Sequence, residues 1–157
     1  MNVRKVSESQ ITMTELVLPN HTNQLGNLLG GQLMHWIDIC AALSAAKHNQ
    51  RICVTASVDK IDFIYPVKLG DAVTLVSSVN RVFNTSLEVG VKVFAQNFKE
   101  ATVKHTNSAY LTFVCVTPEG EPIKAMEALP ETNEQKRRFN EALIRRENRL
   151  KSRSVEK

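Results

Sequence analysis

The chain has 157 residues, 43% of them hydrophobic, and a formal net charge of +4, which suits one globular domain with a core of its own. The charge is localised: residues 131–157 hold nine Lys/Arg against five Asp/Glu, and the first 130 residues carry eleven of each. A neutral domain with a basic tail argues against a nucleic-acid binder, which usually wears its charge on the folded face. The N-terminus lacks the apolar stretch of a signal peptide, and no segment is long and apolar enough for a membrane span. Cys40, Cys53 and Cys115 are widely spaced with no CxxC. That argues against a disulfide framework or a zinc site and points to a reducing, cytoplasmic location.

Residues 1–9 read as polar and frayed. Ile11 to Leu18 alternates loosely and predicts a first strand, ended by Pro19, which cannot donate to a ladder. Pro19 to Asn49 begins as a polar, Gly-rich loop and becomes a helix that is apolar almost all the way round. Gly30-Gly31 marks the join, and Lys47, His48 and Asn49 suit its end. A helix apolar on all faces is normally buried, so the sequence predicts a central buried helix carrying one carboxylate, Asp38.

Four strand-like runs follow with short turns between them: Ile52 through Ile61, Phe63 and Tyr65 to Pro66; Val73 to Phe83; Leu87 to Gln96; and Ala101 to Val116. Short connections imply antiparallel neighbours. Thr132 with Gln135 forms a capping-box pattern, and a charged helix should run from about 133 to 150. Its apolar positions, Phe139, Ala142, Leu143 and Leu150, are sparse and predict partial docking. A long antiparallel sheet wrapped around one buried helix is the α+β hotdog arrangement. Residues 1–130 would form this domain and 131–157 a basic C-terminal helix and tail. One protomer would leave a long edge strand exposed, so dimerisation is expected.

The chemistry-bearing residues gather at the loop–helix join. A carboxylate in a buried helix is costly unless paired or functional; Asp38 reads either as a general base or nucleophile or as a structural carboxylate. Gly30 and Gly31 leave helix N–H groups open to a ligand, with the helix dipole behind them, and could stabilise an oxyanion. Close helix–sheet packing would also use glycine. Gly31 and Asp38, seven residues apart, fall on one helix face. Asn23 and Asn27, flanking Gly26, could position water or a carbonyl oxygen, or simply form a turn. His21 and His35 with Asp38 make only a partial ligand set, without HExxH, so no metal is expected. GxSxG, GxGxxG and GxxxxGK[ST] are absent.

Pro19-x-x-x-Asn23-x-x-Gly26-Asn27-x-x-Gly30-Gly31, with Asp38 following, resembles the signature of the hotdog acyl-CoA thioesterases. Val54-Thr55-Ala56-Ser57-Val58-Asp59, Asp62-Phe63-Ile64-Tyr65-Pro66-Val67, Leu69-Gly70-Asp71 and Asn84-Thr85-Ser86-Leu87-Glu88-Val89 agree, as does the basic terminal helix. The resemblance implies hydrolysis of acyl-CoA to free fatty acid and CoA, with no cofactor. The site would combine Asn23 of one protomer with Asp38 of the other. Gly31 N–H would polarise the thioester carbonyl. Gly30, Ser57, Thr85 and Ser86 are the expected contacts for the CoA arm. A homodimer at minimum, assembled as a hexameric trimer of dimers, is implied. Two departures stand out: Leu29 where the family often has Phe, and His21 where an acid is common. A hotdog hydratase or dehydratase using His21 with Asp38, and a non-catalytic acyl-CoA sensor, are the competing readings.

Overall fold

The computed structural model describes residues 2–155. A five-stranded antiparallel sheet is built from β2 (Ile11–Leu16), β3 (Ile52–Val58), β4 (Ala72–Val82), β5 (Ser86–Asn97) and β6 (Thr102–Val116), in the order β2-β4-β5-β6-β3. It curls around α1 (Gly30–Asn49). The concave face of the sheet and one side of α1 form the core, with Ile37, Cys40 and Ala41 of the helix packed among Leu75, Leu87, Val89, Leu111 and Phe113. The hotdog prediction holds.

Burial of α1 is less complete than its composition suggests. Gly31, His35, Ile39, Leu43 and Ala46 form a stripe at helical spacing, and all are exposed. The sheet wraps one side of the helix and leaves this stripe uncovered. Edge strand β3 is also exposed at Ile52, Val54 and Val58.

Residues 3–9 are structured rather than frayed; Met1 lies outside the described residues. β1 (Val3–Lys5) pairs in parallel with β7 (Glu127–Leu129), two strands too short to show an alternating pattern. A 3-10 turn follows at Val6–Ser9. Ser9 is fully buried; its hydroxyl bonds Val6 O and accepts from Val79 N–H, and Ser44 donates to Ser9 O. A largely polar sequence is therefore held by the buried hydrogen bonds of Ser9 together with the buried side chain of Val6.

The run expected to continue to Pro66 stops at Val58. The Asp59 N–H still donates to Tyr110 O of β6 at 3.0 Å; beyond it the chain leaves the sheet, and the Asp62 carbonyl accepts from the Asn107 side chain.

α2 (Asn133–Val155) runs past the expected end at 150 and lies on the convex face of the sheet. The capping box forms, with Thr132 Oγ1 accepting from Gln135 N–H at 3.1 Å and Gln135 Oε1 accepting from Thr132 N–H at 3.3 Å. Ala142 is its buried residue. Docking relies instead on arginines. Arg81 stacks on Phe139 at 4.0 Å and Arg145 on Tyr110 at 3.7 Å. Arg145 also forks onto Glu88, which Asn80 Nδ2 holds at 2.9 Å. Gly90 lies beneath Asn80: a Cβ there would stand 2.8 Å from Asn80 Nδ2.

The three cysteines are free thiols. Burial, chiefly, pushes the Cys53 thiol up to about 12, which keeps it protonated and unreactive.

Candidate active site

The loop before α1 is closed by its own side chains. Asn23 Oδ1 accepts from Leu25 and Asn27 N–H at 2.9 and 3.2 Å, and Gly26 adopts φ +74°, a left-handed conformation that suits glycine. Asn23 is exposed, with its amide NH2 unpartnered among the described residues. His21 anchors the other end of the loop: Nδ1 accepts from Leu18 N–H at 3.1 Å, and the ring stands edge-on to Trp36 at 5.1 Å. Nδ1 of His21 is thereby engaged in holding the loop, and no hydrogen bond among the described residues joins His21 to Asp38, the pair that the hydratase reading needs. Among the described residues no group of three His, Cys, Asp or Glu is placed to hold a metal ion.

α1 opens at Leu29, which supplies no side-chain cap. The first N–H groups of a helix have no intrahelical partner, so those at Gly30 and Gly31 stay available. A Cβ on Gly31 would meet nothing within 4 Å. Close packing within the protomer therefore does not account for this glycine. Gly30 lies against Phe63, where a Cβ would stand 3.5 Å from Cζ of the ring.

Asp38 is half-buried. Its Oδ1 accepts from Thr55 Oγ1 at 2.7 Å, which fixes the carboxylate to β3. Sequence reasoning quoted Thr55 within a motif but did not assign it to the site. A hydroxyl on the inward-facing set of an edge strand, beside the helix that bears the lone acid, was the available signal. Ser57, two residues on, faces the other way. A register shift between Thr55 and Ser57 pairs Thr55 with the buried Phe113 and Ser57 with Thr112, so the irregularity parts two residues that simple alternation would place together.

Ser57 instead lines a groove of about 670 Å3 on the convex side, with Asp59, Lys60, Tyr110, Arg145, Arg149 and Arg153. Thr85 and Ser86 sit in the β4–β5 turn, held through the backbone: Thr85 O accepts from Cys115 N–H at 2.8 Å, and Ser86 O from Phe83 N–H at 2.9 Å. They do not line the groove.

Gly31 and Asp38 share a helix face but lie about 10 Å apart along the axis at 1.5 Å per residue. No hydrogen bond among the described residues joins Asn23 to Asp38. One protomer thus presents two half-sites, the loop with the helix N-terminus and the Thr55–Asp38 pair.

The thioesterase superfamily pattern matches residues 25–102, and the uncharacterized acyl-CoA thioester hydrolase YkhA of Bacillus subtilis is 38% identical over 96% of this chain and 87% of that protein. The chain belongs to the thioesterase superfamily. Within it, acyl-coenzyme A thioesterase 11 of mouse is 39% identical over 90% of this chain, which spans only 24% of that longer protein. A solved apo-hexameric acyl-CoA thioesterase superposes with a TM-score of 0.94 at 37% identity, covering 99% of both chains. The acyl-CoA hydrolase of Staphylococcus aureus, solved with butyryl-CoA, CoA and CoA disulfide, superposes at 0.90 with 34% identity, covering 98% of this chain and 93% of its own. Variants of that thioesterase replacing an Asn, an Asp and a Thr by Ala have also been solved. Those positions are separated by 15 and 17 residues, the separations of Asn23, Asp38 and Thr55 here.

Proposed function

We propose that this protein is an acyl-CoA thioester hydrolase, releasing free fatty acid and CoA in the cytoplasm. The observation that carries the reading is the Thr55–Asp38 hydrogen bond, made by two residues spaced as are the Asp and Thr replaced in the Staphylococcus aureus hydrolase. Family membership supports the substrate class.

The active site is composite. A two-fold dimer covers the exposed stripe of α1 and pairs the β3 edges, removing an unpaired strand edge. It brings Asn23 and Gly31 of one protomer to Asp38 of the other, which overcomes the axial separation within a single chain. The Gly31 N–H polarises the thioester carbonyl and receives its developing oxyanion. Asp38, held by Thr55, either draws a proton from water or attacks the carbonyl itself, and Asn23 NH2 orients the water or the substrate. The CoA thiolate leaves as the tetrahedral intermediate collapses. The cationic groove at Ser57 accepts the phosphates of the CoA arm, with the Thr85-Ser86 turn as a second contact. The apo-hexameric neighbour supports a hexamer, which three such dimers would form.

The test is release of CoA thiol from acyl-CoAs of graded chain length by wild type and Asp38→Asn, with fold and assembly checked in both. Turnover that falls by two orders of magnitude or more in the variant supports the reading. No turnover by wild type on any acyl-CoA, with binding retained, would replace the hydrolase with a sensor. Single turnover in heavy-oxygen water bears on the two roles of Asp38. Label in the Asp38 carboxylate establishes the anhydride, opened by water at the Asp38 carbonyl; where water opens it at the acyl carbonyl the label goes to the fatty acid, and a trapped acyl-Asp38 adduct then separates nucleophile from base.

A further inference from the structure

Residues 59–69 leave the end of β3 and pass over the N-terminus of α1, fastened at intervals. Arg149 of α2 bonds both Asp59 oxygens at 3.2 Å. Asn107 of β6 donates to the Asp62 carbonyl. Leu28 N–H donates to Val67 O at 2.7 Å, and Leu69 N–H to Gly26 O at 2.9 Å, which joins the far end to the loop that carries Asn23. Between the fastenings, Phe63, Ile64 and Tyr65 are 52%, 69% and 52% exposed. The Phe63 ring rests on Gly30, one residue before the open space at Gly31.

Polarity divides the surroundings of the site. The groove on the convex side is lined by four cations, Lys60, Arg145, Arg149 and Arg153, against one carboxylate, Asp59, and keeps a positive excess for a polyanion. At the helix N-terminus the exposed side chains are apolar, Leu29 at the N-cap and Phe63 against Gly30, with exposed Leu25 and Ile64 in the two segments that carry them. A substrate with a phosphate-bearing arm and an apolar chain on either side of one carbonyl would lie with the chain toward the second set.

We propose that Phe63, held over Gly30 by the strap of residues 59–69, is the wall against which the substrate's acyl chain ends, and that it sets the chain length accepted. This rests on the thioesterase reading and adds a specificity residue to it. Arg149 is a positioning residue, acting through Asp59 on the strap. An aromatic ring is rigid and large, so exchanging it for a smaller or larger side chain changes the depth of the space in whole methylene steps.

The experiment measures kcat/KM across acyl-CoAs of increasing chain length for wild type, Phe63→Ala, Phe63→Leu, Phe63→Trp and Arg149→Ala, with the oligomeric state of each determined. Phe63→Ala should move the optimum to longer chains, with the long-to-short ratio rising about tenfold or more. Phe63→Leu should fall between Ala and wild type, and Phe63→Trp should move the optimum to shorter chains. Arg149→Ala should flatten the profile, since a loosened strap discriminates less; the phosphate contact it also gives up in the groove lowers every chain length by the same factor and leaves the long-to-short ratio to report the strap. A general loss of structure would lower all chain lengths together and leave the optimum in place. Unmoved optima in the assembled Phe63 variants overturn the proposal, as does dissociation of all three variants, which would make Phe63 an oligomer contact. Wild type without turnover fails the hydrolase reading as well and is told apart because it precedes any substitution.

Discussion

Arg145 forks onto Glu88 with bonds of 2.7 and 2.8 Å, and Glu88 has no exposed surface at all. Glu88 lies mid-sheet in β5, and α2 reaches it through the Arg145 fork, with Arg149 Nη1 standing off at 3.9 Å. Arg145→Met leaves the buried carboxylate with Arg149 as its remaining, more distant cation and should cost about 3 kcal/mol in urea unfolding, the low end for a broken buried pair. Adding Glu88→Gln, whose side chain still accepts from Asn80, should restore more than half of that loss. Equal losses in the single and double variants would mean that packing, not charge, fastens α2.

Thr55 should matter to activity through orientation alone. Thr55→Val keeps the shape and removes the donor, so kcat should fall at least tenfold while unfolding shifts by no more than about 1 kcal/mol. Thr55→Ser, which retains the hydroxyl, should recover most of the rate. A kcat in Thr55→Val equal to wild type would separate the hydrogen bond from the chemistry.

His48 predicts an acid-sensitive fold. It is fully buried at the end of α1, Nε2 donates to Met126 O at 2.7 Å, and Nδ1 has no partner among the described residues. Burial pushes the imidazole below its ordinary range; the Met126 carbonyl and Glu8 oppose this, and Arg4 reinforces it. The unfolded chain therefore takes up the proton first. The stabilisation is complete above the unfolded value near 6.5 and is lost as pH falls below it, at about 1.4 kcal/mol for each unit of depression. His48→Gln, which keeps a donor for Met126 O, should flatten the unfolding free energy between about pH 6.5 and 5.

Ala101 closes the β5–β6 hairpin at φ +52°, and Gln50 ends α1 at φ +52°. Non-glycine residues pay about 1–2 kcal/mol there, and glycine returns about 0.5–1 kcal/mol of that as unfolded-state entropy. Ala101→Gly and Gln50→Gly should each raise stability by about 0.5–1 kcal/mol in thermal unfolding. Destabilisation by either would mean that its side chain makes a contact worth more than the backbone conformation costs.

Much of this was legible from local pattern. The strand alternation, the capping box at Thr132, and the lone acid in α1 after two glycines are short-range signals, and the fold follows from them. Three features depended on distant partners and were not. Residues 59–66 alternate like a strand, yet the ladder ends at the Asp59 N–H, and the Asp62 carbonyl takes the Asn107 side chain as its partner. The shift after Thr55 turned Ser57 away from Asp38, and no periodicity announces an irregularity of that kind. The exposure of one stripe on α1 depends on how far around the helix five strands can curl. Asn23 and Asp38 could be named as a pair from the resemblance, while their separation in one protomer follows only from the helix rise.

Position 90 admits no side chain while Asn80 lies across it, and Asn80 lies there because it holds Glu88, which Arg145 also grips. Residues 80, 88, 90 and 145 are thus locked into an order of change. A larger residue at 90 requires that the Asn80 amide first move or be lost, and that loss leaves the buried Glu88 carboxylate one hydrogen bond short beside Arg145. Among diverging relatives these four positions should change as a block, and a chain carrying alanine at 90 beside an intact Asn80–Glu88–Arg145 set should be rare.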